Sequence, residues 1–139
     1  MSHRHITEFT AEFGDCDPNQ IVFYPNFLRW IDAASRHFFE AAGVPSWPEL
    51  ERSTGIVGTP VAEVSVRFLR PATCGDRIAV ETTITEWRVK TFVMKHVIRR
   101  GDDVLAEGEE VRLFAQRHPD GPKRIQSVPA PEGIRRLLE

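Results

Sequence analysis

The sequence predicts an α+β domain, a curved antiparallel sheet of five to six strands wrapped around one long helix. Three observations predict it. Apolar residues recur at Phe27, Trp30, Ile31, Ala34, Phe38 and Ala41, the spacing of one helical face. From Gly55 onward the period changes to two, and apolar and polar residues alternate. The alternating segments are joined by turns too short for parallel crossovers, so neighbouring strands must run antiparallel. A sheet curled around the helix is the simplest way to bury its apolar stripe.

Residues 6–13 alternate weakly and read as a first strand. The segment after it, FGDCDPNQIVFYPNFLRWIDAASRH, organises the chain. In it Asp15 and Asp17 flank the thiol of Cys16, and Pro18-Asn19 enforces a turn. A short apolar run leads to Pro25-Asn26, where the helix starts, because the missing N–H of proline costs nothing in a first turn. The helix extends to about Ala42, and Gly43 is its left-handed stop. Residues 44–54 form a connector in which Pro48 starts a short helix.

Val64, Val66 and Phe68 alternate with Glu63, Ser65 and Arg67 in a half-buried strand. Ile78, Val80, Thr82 and Ile84 mark a second alternating strand, and Phe92, Met94, His96 and Ile98 a third. Residues 104–115 form a fourth, whose alternation slips near Glu109-Glu110, where a bulge is expected. Residues 125–128 read as a short edge strand and residues 131–138 as a terminal turn or two of helix. The open edges of one such sheet invite pairing between copies, so at least a homodimer is expected, with a dimer of dimers as the larger form.

At 139 residues the chain is one domain, 1–139, large enough for a real core. A net charge of −2 argues against general nucleic-acid binding, which needs a basic surface. No apolar run approaches a membrane span, and the MSHRHITEF start lacks an apolar signal core, so a cytoplasmic protein without a membrane partner is expected. Cys16 and Cys74 fit no CxxC pattern and the histidines are scattered, so no metal site is expected.

Several residues admit both a bland and a chemical reading. Asp15 and Asp17 suit turns and caps, yet one of them facing a pocket at the helix start could act as base or nucleophile. Unpaired N–H groups at that helix start could hold a developing oxyanion. Arg88 and Lys90, at i and i+2, share a strand face and could clamp phosphates, or could be a solvated strand end. Asp32 borders the apolar stripe of the long helix and is either an exposed charge or a polar group in a pocket. Trp47 and Thr59, with the GIVGTP run, line a pocket or belong to the core.

The ordered set EFGDCDP, IV-F-YPN, RW-DAASR, GIVGTP and EWR-K resembles the hotdog-fold 4-hydroxybenzoyl-CoA thioesterases that carry a catalytic aspartate on the N-terminal loop. The resemblance implies a hotdog fold paired into dimers, with active sites at the subunit interface. It implies hydrolysis of an aromatic, 4-hydroxybenzoyl-like acyl-CoA thioester to free acid and coenzyme A, with no metal or redox cofactor. It carries the catalytic carboxylate onto Asp17 and the oxyanion-binding backbone N–H onto Tyr24. It places the acyl pocket near Asp32, Trp47 and Thr59, and the coenzyme A phosphates on Arg88 and Lys90. Val89 stands where the family pattern often has a third basic residue. The alternatives are a thioesterase for short aliphatic acyl-CoA and a non-catalytic acyl-thioester binder of the same fold.

Overall fold

The long helix forms where its spacing predicts. The computed structural model describes residues 3–139. Helix α1 spans Pro25–Ala41 with proline in its first turn, and Gly43 takes a φ of 89° just beyond its end. The buried residues of α1 are Phe27, Trp30, Ile31, Ala34, Ser35, Phe38 and Phe39. They follow i, i+3, i+4 strictly, so Ser35 and Phe39 belong to the stripe and the expected Ala41 is exposed. Helix α2, Trp47–Thr54, carries Pro48 in its first turn, and α3, Glu132–Leu138, closes the chain.

Seven strands form the sheet, rather than five to six: β1 Arg4–Thr10, β2 Ile56–Gly58, β3 Val61–Phe68, β4 Arg77–Trp87, β5 Thr91–Arg100, β6 Asp103–His118 and β7 Gly121–Val128. The strand missing from the sequence reading is β2, too short to show a period. All pairings are antiparallel, in the order β1-β4-β5-β6, with β2, β3 and β7 each joined to β6.

Three local expectations need correction. The first strand stops at Thr10, and Phe13 opens a 3₁₀ turn, Phe13–Asp15, instead of ending a strand. Glu12 N–H donates to Asp15 Oδ2 at 2.8 Å, which pulls the chain out of the sheet. The β6 alternation does not slip at Glu109-Glu110. Ala106, Gly108, Glu110, Arg112 and Phe114 all face inward in step, and the bulge lies at Leu105, opposite Ile98 and Arg99. Finally, β3 is not half-buried. Val64 is 44% and Phe68 45% exposed, and among the described residues β3 pairs with β6 alone, which leaves its other edge open.

The core has two apolar halves along α1. Phe27, Trp30, Ile31 and Ala34 pack on Ile78, Val80, Ile98 and Leu105. Phe38 and Phe39 pack with Leu50, Phe92, Met94, Phe114 and Leu138. Burying side chains of this size is worth roughly 1.5–3 kcal/mol each. Gly108 lets α1 sit close to the sheet, since a Cβ there would lie 2.6 Å from Ile31 Cδ1. Near the join of the halves lie Ser35, Thr82, His96 and Glu110, all buried and polar.

Candidate functional site

The loop before α1 is laced to the first turn of the helix. Cys16 bridges Val22, and Asp17 N–H donates to Ile21 O at 2.9 Å. The Asp15 carbonyl accepts Phe23 N–H at 2.8 Å and the Asn26 side-chain amide at 2.8 Å. Gln20 takes a φ of 67°, the only non-glycine residue with positive φ among the described residues. Such a backbone is uncommon for glutamine and marks a tightly specified turn.

This geometry separates the two aspartates. The Asp15 carboxylate is committed to Glu12 N–H and closes the 3₁₀ turn. Asp17 Oδ1 accepts Asn19 N–H at 2.8 Å, so the turn reading holds for one oxygen. The other oxygen, Oδ2, has no hydrogen-bond partner among the described residues, and the side chain is half-buried. Pro25 lacks an N–H, Asn26 N–H is taken by Phe23 O, and Phe27 N–H by Tyr24 O. Tyr24 N–H donates to no backbone carbonyl among the described residues, which leaves it available at the helix start.

A second assembly lies further along α1. Asp32, Trp47 and Thr59 come together around a cleft of about 420 Å³, with Arg36, Phe39 and Arg112. Trp47 stands edge-on to Phe39, ring centroids 5.9 Å apart. The Asp32 side chain is 74% exposed, so it sits at the rim of the cleft. Arg112 Nη2 donates to Asp32 Oδ1 at 2.9 Å, and Arg112 Nη1 donates to Thr59 O at 2.7 Å. Asp17 does not line this cleft.

Arg112 and Glu110 escaped the sequence reading. The available signal was an alternation that stays in step only if two charged residues are allowed inside. Arg112 Nη2 also donates to Glu110 Oε2 at 2.7 Å, and Glu110 Oε1 receives Ser35 Oγ–H at 2.6 Å. With its proton on Nε2, His96 donates to Glu110 Oε1 at 2.7 Å and accepts from Thr82 Oγ1 at Nδ1, 2.9 Å away. Burial alone would raise the Glu110 pKa, but the hydrogen bonds from His96 and Arg112 and the Arg112 charge outweigh it and bring it down to about 2. The Arg112 guanidinium is depleted of water by burial, yet Glu110 and then Asp32 hold its pKa above the ordinary value.

Arg88 and Lys90 lie on the β4–β5 turn and not on a strand, since β4 ends at Trp87 and β5 begins at Thr91. Arg88 pairs with Glu86 at 2.8 Å, with both side chains about half exposed. Such a pair is worth little and yields readily to a better anion. Val89 between them is 80% exposed, and the Lys90 carbonyl accepts Ser127 Oγ–H from β7 at 2.9 Å.

The sequence pattern of the thioesterase-like superfamily matches residues 11–138. The chain belongs to this superfamily. It is 42% identical over 125 residues to 4-hydroxybenzoyl-CoA thioesterase of Pseudomonas sp. (strain CBS-3), covering 86% of each chain. It is 32% identical over 128 residues to 1,4-dihydroxy-2-naphthoyl-CoA hydrolase of Thermosynechococcus vestitus, covering 90% of this chain and 82% of the other. A crystal structure of a 4-hydroxybenzoyl-CoA thioesterase variant complexed with 4-hydroxybenzoyl-CoA superposes with a TM-score of 0.91 at 36% identity, over 99% of this chain and 100% of that one. The thioesterase-like fold is thus the hotdog arrangement that the resemblance implied, with α1 held by the curved sheet. No helix among the described residues is long and apolar enough to cross a membrane.

Proposed function

We propose that the protein is an acyl-CoA thioesterase that hydrolyses an aromatic, 4-hydroxybenzoyl-like thioester to the free acid and coenzyme A. The observation that carries the reading is the cleft beside Trp47, where Arg112 presents the Asp32 carboxylate at the rim. A flat aromatic acyl group suits an aromatic-walled cleft, and a ring hydroxyl supplies the donor that an acceptor there requires. The named relatives act on aryl-CoA thioesters whose rings bear hydroxyl groups, which supports the same choice.

The chemistry follows from the helix start. A thioester carbonyl is electrophilic and thiolate leaves readily. The Tyr24 N–H polarises the carbonyl and holds the tetrahedral oxyanion. The uncommitted Oδ2 of Asp17 attacks the carbonyl or activates a water, and water completes the hydrolysis. Arg88 and Lys90 take the coenzyme A phosphates. No metal or redox group has a step in this chemistry.

Asp17 does not line the Asp32 cleft, and β3 pairs with β6 alone among the described residues, with Val64 and Phe68 exposed. Both features fit a working unit of two chains that pair through β3 and build the site between them, with a dimer of dimers as the larger form.

The test is a panel of aromatic and aliphatic acyl-CoA esters, followed by release of free thiol. Selective turnover of ring-hydroxylated aryl esters is expected. Selective turnover of short aliphatic esters would overturn the aromatic reading, and no turnover of any ester would leave a binding protein.

A further inference from the structure

We propose that Arg112 is a positioning residue for substrate selection: it fixes Asp32 so that the free carboxylate oxygen meets the ring hydroxyl of the acyl group. The proposal rests on the aryl-CoA reading above and names the residue that makes it selective. Arg112 points inward from β6, and its side chain is 7% exposed. One guanidinium grips both walls of the cleft, Asp32 Oδ1 on α1 at 2.9 Å and the Thr59 carbonyl beyond β2 at 2.7 Å. Asp32 Oδ2 has no hydrogen-bond partner among the described residues, so one oxygen is anchored and one is offered.

The anchor is itself anchored. Glu110 holds Arg112 at 2.7 Å, and Ser35 and His96 hold Glu110 at 2.6 and 2.7 Å. Thr82 holds His96 at 2.9 Å. An exposed aspartate on a helix ordinarily samples several rotamers, and ordering it costs affinity when a ligand arrives. Here a buried chain of polar groups from three strands and the helix fixes the guanidinium that holds one Asp32 oxygen, which narrows that freedom.

Stability does not by itself call for a guanidinium at this position. A buried ion pair is weak evidence for stability, since desolvation offsets most of the attraction. Arg112 Nε–H is buried with no hydrogen-bond partner, a cost that an apolar residue at the same place would avoid. What a guanidinium supplies, and an apolar residue or a lysine does not, is a planar fork that reaches three acceptors at fixed angles. The cost is explained if orientation at the cleft is what the cluster delivers.

The experiment compares kcat/KM for 4-hydroxybenzoyl-CoA and benzoyl-CoA in wild type, Arg112→Lys, Asp32→Asn and the double variant. Lysine keeps the charge but loses the fork. The hydroxylated ester is expected to lose at least about tenfold more than the benzoyl ester in Arg112→Lys. In the Asp32→Asn background the same change is expected to leave the ratio of the two esters within about twofold, because Arg112 acts through Asp32. Equal losses on both esters, or an undiminished effect on the ratio without Asp32, would show a structural role only and overturn the proposal. A wild type that does not prefer the hydroxylated ester would overturn this proposal together with the hydroxyl reading, whereas a preference that survives Arg112→Lys overturns this proposal alone. Should Arg112→Lys fail to fold, Glu110→Gln leaves both cleft residues in place and loosens the guanidinium. It is expected to lower the same ratio, and an unchanged ratio overturns the proposal.

Discussion

The Asp15 carbonyl accepts a 2.8 Å hydrogen bond from the Asn26 side-chain amide, which joins the aspartate loop to the first turn of α1. The Asp17 carboxylate is two residues away on the same loop, and the free Tyr24 N–H is two residues before Asn26. The proposed reactive groups therefore share one small rigid unit, built largely from backbone hydrogen bonds. Rigidity of this kind is what a reaction with a fixed angle of approach requires.

Asp17→Asn keeps the oxygen that accepts Asn19 N–H and removes the negative charge. Turnover is expected to fall by on the order of 10³-fold or more while acyl-CoA binding persists. Asp15→Asn removes the carboxylate that closes the 3₁₀ turn, so it is expected to lower thermal stability more than turnover. Steady-state kinetics with a ligand-binding titration checks both. Equal losses of turnover would mean that the two carboxylates act as one structural pair.

Arg88→Ala and Lys90→Ala are expected to raise KM by on the order of tenfold and to change kcat little, because remote phosphate contacts contribute uniform binding. The contacts are exposed, so the effect should shrink as salt is added. A truncated thioester without the nucleotide should not distinguish these variants from wild type. If it is penalised as strongly as the full substrate, the two residues do not hold phosphates.

Much of this arrangement is legible in the sequence, and the reasons for the gaps are physical. Most of the α1 stripe is legible because a single period of apolar residues faces one core, while Ser35 is missed as polar and Ala41 falls beyond the covered length. Asp32, Trp47 and Thr59, far apart in sequence, line one cleft. Periodicity misses the inward face of β6 because it treats charge as a mark of solvent. Glu110 and Arg112 violate that rule as a pair, each supplying the partner that makes the other tolerable inside. Periodicity also misses the exposure of β3, since alternation reports two unlike faces and not what covers them. Arg88 and Lys90 fall on a turn because β4 ends at Trp87, and no period marks such an end.

The β3 edge leads to a prediction about assembly. Sedimentation at micromolar concentration is expected to give a mass two or four times that of the 15.8 kDa chain. Val64→Lys places a charge on the exposed edge strand, a device that blocks strand pairing. The variant is expected to shift the mass toward one chain and to lose turnover in proportion, because the proposed site needs two copies. A wild type that sediments as one chain and still hydrolyses the ester would remove the shared site.

The buried Glu110 also sets how the fold responds to acid. Its pKa in the folded protein is about 2, against an ordinary 4.5. A carboxylate whose folded pKa is depressed binds protons more readily when unfolded, so its contribution is complete above about pH 4.5 and is lost as the pH falls toward 2. Over that window the ionised form gains on the order of 3 kcal/mol over the protonated one, which is a dependence on pH and not the net worth of the buried pair. Glu110→Gln cannot titrate, so its stability should change less between pH 5 and pH 2.5 than that of wild type, a window of about the same width. At pH 7 the variant leaves the buried Arg112 with a weaker partner, and removing one member of a buried pair costs about 3–5 kcal/mol at the upper limit. The curves of the two proteins should therefore lie far apart at neutral pH and converge in acid. Urea unfolding of both proteins at intervals across this range measures the difference directly. Parallel curves would show that acid acts on some other carboxylate and that His96 and Arg112 do not hold Glu110 in its charged form.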